Sequence, residues 1–127
     1  AAGKAPDKPR DALPDVIDGI DMKAARTMMR GNDAILRKLL GDFKAKYLDK
    51  DAEIRDALAA GDIEQAARVA HTLKGVSGNI RANHAYEAVA ALDHQLRDDP
   101  ENPQVHRLLD TLSDKLRELK KALADAL

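Results

Sequence analysis

Hydrophobic residues recur along most of this chain at intervals of three and four, the spacing of one face of an α-helix. The first such run opens at Asp21, whose carboxylate can cap a helix, and ends at Met29 ahead of Gly31. Asn32 or Asp33 then caps a long segment in which Leu36, Leu40, Phe43, Tyr47, Ile54 and Leu58 keep helical register. That register passes through polar Lys50 and Asp51, and the expectation is one long helix with a soft middle, a break there being the alternative. Ala60-Gly61-Asp62 combines a helix stop with a new N-cap and opens a helix that runs to about Arg81. Asn83 caps the next, with Tyr86, Val89, Leu92 and Leu96 inward. After a turn from Asp98 to Pro103, the residues Val105, Leu109, Leu112, Leu116, Leu119 and Leu123 repeat at heptad spacing. That seam is read as core, with a dimer seam as the alternative.

Four amphipathic helices on short connections predict an all-α fold, an antiparallel up-down four-helix bundle with an additional short N-terminal helix. Residues 1–14 hold three of the five prolines and read as a flexible linker or tail, leaving 15–127 as the bundle domain. Composition agrees: hydrophobic content is 44 % but aromatic content only 2 %, so the core is built from Leu, Ile, Val and many Ala. Such a core suits closely packed helices better than sheets. With 127 residues the chain is one domain by size and needs neither metal nor disulfide to hold a core. The absence of cysteine fits a cytoplasmic setting. No 18-residue apolar run or signal-peptide core is present, and no membrane contact is expected of this segment. A net charge of −1 leaves no basic footprint for nucleic acid.

One helix departs from this economy. On a wheel of 100° per residue, Ala66, Val69, Ala70, Leu73, Val76, Ser77 and Ile80 fall within about 70° of one direction. Arg68, His71, Gly75 and Gly78 lie on the opposite side, so the imidazole is presented to solvent and the residues one and two turns after it lack side chains. Each interior glycine costs a helix about 1 kcal/mol relative to alanine, and a solvent face has no packing need for two of them. Gly75 could instead end the helix, but the apolar register continues through Val76 and Ile80. Clearance for another protein around the imidazole explains the glycines.

Charge sharpens the picture. No Asp or Glu occurs between Gln65 and Tyr86, although the chain holds 22 of them, and the charged residues there are Arg68, Lys74 and Arg81. An imidazole with an ordinary pKa of about 6.5 is mostly neutral, hence nucleophilic, at cellular pH, and the window supplies no acid to stand beside it. Lys74, one turn on, can neutralise phosphoryl oxygens carried on His71. His84, His94 and His106 read as solvated surface, and no histidine pair lies one turn apart as a metal site on a helix would need. No glycine-rich phosphate loop is visible.

The stretch His71-Thr72-Leu73-Lys74-Gly75, followed by Val76-Ser77-Gly78-Asn79-Ile80, resembles the histidine-containing phosphotransfer (HPt) domain of bacterial multistep phosphorelays. The approach Ile54-Arg55-Asp56-Ala57-Leu58-Ala59-Ala60-Gly61-Asp62 into Ala66–Ala70, the entry from Leu13-Pro14 to Ile20-Asp21, and Leu39-Leu40-Gly41-Asp42-Phe43 are similar as well. The resemblance covers about residues 13–124. It implies a helical bundle in which His71 accepts a phosphoryl group from a receiver-domain aspartate and passes it to another receiver. In that reading Lys74 stabilises charge, Arg68, Gly75, Gly78 and Arg81 dock the partner, and no ATP-dependent kinase activity belongs to the chain. Partners are receiver domains of response regulators or a hybrid sensor kinase, the domain is a monomer without cofactor, and Mg2+ belongs only to the partner receiver. Many members carry Glu or Gln where Asp93 stands here, and no role is assigned to it. The linker-like start fits a part of a larger hybrid kinase, a free-standing relay protein being equally allowed. The reading of another class is a helical adaptor or dimerisation module in which His71 is incidental.

Overall fold

Short side-chain caps decide where the first helices begin. The computed structural model describes residues 12–127, which form six helices: α1 Met22–Met28, α2 Asp33–Lys46, α3 Lys50–Ala59, α4 Ile63–Asn79, α5 Asn83–Asp98 and α6 Gln104–Ala126. Asp21 Oδ1 accepts from the Ala24 amide at 3.0 Å, Asn32 Oδ1 from Ile35 at 3.1 Å and Asp62 Oδ1 from Gln65 at 3.0 Å. Each bond satisfies an amide that the first helical turn leaves free. Gly31 and Gly61, with φ of 78° and 76°, take the left-handed turns that precede α2 and α4.

The expected single helix over residues 32–58 is broken after Lys46, so the alternative holds. Continuing through Tyr47–Asp49 would turn Lys50 and Asp51 toward the core. The break instead buries Leu48, while Lys50 reaches Glu53 at 2.5 Å and Asp51 Oδ2 accepts from the Ser113 hydroxyl on α6 at 2.6 Å. The cap of α5 is also corrected by one residue. Asn83 is already helical, and the N-cap is Ala82, fully buried and without a side-chain cap bond. Arg81, at φ 59°, makes the left-handed turn between α4 and α5.

All the regular structure among the described residues is helical. α4 packs against α3 on one side and most extensively against α5 on the other, α6 packs on α5, and α3 meets α6 to close the ring. The heptad residues of α6 are all buried within this single chain, as core. Phe43 is the largest side chain at the centre, and Ala66 and Ala70 on α4 with Ala85 and Ala88 on α5 fill the space between elements with single methyl groups.

Residues 12–14 of the expected tail pack on this body, and residues 1–11 lie outside the described residues. Leu13 is buried, its amide donates to Asp33 Oδ2 at 3.0 Å, and its carbonyl accepts from Arg26 Nη2 at 2.6 Å. Arg26 also holds Asp33 at 3.0 Å and Asp15 at 2.7 Å. The Arg26 guanidinium and the Leu13 amide keep the Asp33 carboxyl below its ordinary pKa. The Asp21 amide donates to the Arg81 carbonyl at 2.9 Å, which ties this entry segment to the α4–α5 corner. No helix among the described residues is long and apolar enough to cross a membrane.

Candidate functional site

The apolar stripe read from the sequence is the face that α4 turns inward. Ala66, Ala70, Leu73 and Ser77 are buried, as is Ile80 at the C-cap, with Val69 and Val76 partly covered at the edges. The opposite face presents His71, whose side chain is 65 % exposed. Gly75 lies beyond it on the same face, and a Cβ added there would meet nothing within 4 Å. The helix continues past Gly75 to Asn79, so this glycine is interior and not a terminator.

Beneath the imidazole stands a residue to which sequence reasoning assigned no role. Asp93, on α5, is only 2 % exposed in its side chain, and its Oδ2 lies 3.6 Å from His71 Nδ1 and 3.5 Å from Lys74 Nζ. A buried carboxylate needs partners, and Arg97, one turn on in α5, supplies two: Nε donates to Oδ1 at 3.2 Å and Nη2 donates to Oδ2. Burial alone would raise the Asp93 pKa. The Arg97 guanidinium, aided by His71 and Lys74, outweighs burial and holds the carboxyl below its ordinary value. The same Arg97 Nη2 lies 3.1 Å from His71 Nδ1.

The acid-free window is therefore real along the chain but not in space. The neighbouring helix delivers one carboxylate to the histidine, together with an arginine that the sequence analysis did not single out. The signal was the i, i+4 pair Asp93–Arg97 on a face whose flanking apolar residues, Val89, Leu92 and Leu96, point inward.

The remaining predicted residues divide into two groups. Lys74, Gly75, Gly78 and Arg81 line one open groove of about 420 Å³ with Met28, Asn79, Asn83 and Tyr86. Within it Arg81 Nη2 rests 3.8 Å from Met28 Sδ, and Gly78 lies under the Tyr86 ring, where a Cβ would sit 3.4 Å from Cδ2. Gly78 thus faces Tyr86, which is exposed at the surface and not inward as its spacing predicts. Arg68 is not in this groove. It lines a separate hollow of about 330 Å³ with Tyr47, Lys50 and Thr72, and its guanidinium pairs with Glu64 at 3.3 Å and with Gln65 on its own helix.

His84, His94 and His106 are exposed, as expected. No group of three or more potential metal-ligating side chains occurs among the described residues. Ser77 Oγ is buried in α4 without a hydrogen-bond partner.

An exposed imidazole backed by a buried carboxylate, flanked by cations and cleared by a glycine, is an arrangement for charge-rich group transfer rather than for packing. No curated protein and no solved structure matches the chain. The family model of the Hpt domain matches residues 38–126. The histidine, its helix and the helix that backs it all fall inside that span, and the chain belongs to the Hpt domain family, whose members carry phosphoryl groups on histidine in phosphorelays.

Proposed function

We propose that His71 is the phosphoacceptor of this domain, taking the group from the aspartyl phosphate of one receiver and handing it to the aspartate of another. The observation that carries this reading is the exposed His71 ring set above buried Asp93. Nδ1 is turned toward Asp93 and Arg97, so Nε2 is the nitrogen that meets the partner. Its lone pair forms the N–P bond as the P–O bond of the acyl phosphate breaks, and the carboxylate leaves. Asp93 offsets the positive charge that develops on the ring, and Lys74 lies one turn away to neutralise phosphoryl oxygens.

Gly75 gives the partner's acidic site room to approach, and Arg81 in the adjoining groove attracts it, with Arg68 as a more distant contact. The Mg2+ of such a transfer sits in the receiver, and this domain takes no cofactor. The domain works as a cytoplasmic monomer whose bundle is α3, α4, α5 and α6 running up and down in antiparallel order.

The test is direct. Incubated with a phosphorylated receiver, the wild-type domain acquires label that is labile in acid and stable in base, and His71→Gln acquires none. Equal labelling of His71→Gln defeats the assignment.

A further inference from the structure

Resting on that reading of His71, we propose that Arg97 is a positioning residue that holds the unphosphorylated ring in its non-nucleophilic tautomer until it is drawn aside. A guanidinium has donors only. Its 3.1 Å contact with His71 Nδ1 is a hydrogen bond only when that nitrogen carries a lone pair. A neutral imidazole has one proton, which must then be on Nε2, the atom that has to attack. The competing bond, Nδ1–H to Asp93 Oδ2, is open at 3.6 Å, and both Asp93 oxygens already accept from Arg97.

Release of Arg97 reverses this arrangement. Nδ1 then takes the proton and donates it to Asp93, and Nε2 gains the lone pair that forms the N–P bond. The proton remains on Nδ1 during transfer, so Asp93 faces the positive ring. Arg97 is free to make this movement, since its side chain is 57 % exposed and, His71 apart, its partner is Asp93 one turn back on its own helix. An acidic receiver surface is the natural competitor for its guanidinium, which would couple docking to activation of the nucleophile.

Nitrogen-15 NMR of the histidine rings in the intact domain reads the tautomer without any transfer reaction. At about pH 9, where an ordinary imidazole is neutral, wild-type His71 is expected to show protonated Nε2 and unprotonated Nδ1. Arg97→Met, and Arg97→Lys as the variant that keeps a cation beside Asp93, are expected to shift the ratio toward Nδ1–H by about tenfold, the effect of losing one charge-assisted hydrogen bond. Phosphoramidate supplies a receiver-free readout, because its P–N bond breaks as Nε2 bonds to phosphorus and ammonia leaves. Arg97→Lys is expected to take up phosphate from it faster than wild type. Protonated Nδ1 in wild type, an unchanged ratio in Arg97→Lys, or uptake no faster than wild type overturns the role of Arg97. Failure of His71 to label in any variant instead overturns the phosphoacceptor reading, whatever the tautomer.

Discussion

Asp93 concentrates more of the site's physics than any other side chain. It is buried and charged, Arg97 on its own helix donates to both its oxygens, and Lys74 and His71 approach it from α4 at 3.5 and 3.6 Å. Replacing it by Asn keeps the shape but removes the charge that holds Arg97 and faces His71. Such a change should cost about 1.5–3 kcal/mol of stability, the range for a hydrogen bond to a charged group, measured by urea denaturation. Gly75 makes the opposite case. Nothing stands where its Cβ would go, so Gly75→Ala should stabilise the free domain by about 0.5–1 kcal/mol through helix propensity. Gly75→Gln should leave stability unimpaired yet slow transfer from a receiver several-fold, a combination that separates clearance from folding. At Gly78 a methyl would rest in ordinary van der Waals contact with the Tyr86 ring, so the propensity gain meets no clash there either.

At the level of whole elements, helix boundaries carry the testable strain. Gly61 turns the chain at φ 76° with open space around it, so only backbone conformation opposes a side chain. Gly61→Ala should therefore destabilise the domain by about 1–2 kcal/mol, seen as a lower urea midpoint with an unchanged slope. The helices, their caps at Asp21, Asn32 and Asp62, and the buried stripe of α4 were legible because spacing and capping are local. The break at Tyr47–Asp49 was visible only as a polar interruption in the register. What decides it is the partnership of Asp51 with Ser113, which lies in α6 and leaves no mark in the local sequence. The same holds for Asn83, displaced from its expected cap because buried Ala82 and the turn at Arg81 set the start of α5.

Across the molecule, acid is the condition that probes fold and site together. Asp33 and Asp93 both have carboxyl pKa values lowered by folding. Their contribution is thus fully present above the ordinary carboxylate value of 3.8 and is lost as pH falls through the lower, folded values. Chemical denaturation between about pH 5 and pH 2 should show stability falling with acid, with a shallower fall in Asp33→Asn. That variant loosens the Arg26 clamp on the entry segment while leaving His71 untouched. The histidine and its glycine could be read from the sequence because they share a helix face. The carboxylate beneath them could not, since it arrives from α5 only once the helices pack. That packing governs the chemistry in one further way. His71 and Asp93 belong to different helices, so the gap between ring and carboxylate is a distance between helix axes, and the buried alanines of α4 and α5 keep those axes close. The methyl-sized core is in effect a gauge block for the reaction centre. A bulkier residue at Ala70, next to His71 on α4, would lift the imidazole off its carboxylate and slow transfer, with every exposed atom of the docking face left chemically unchanged.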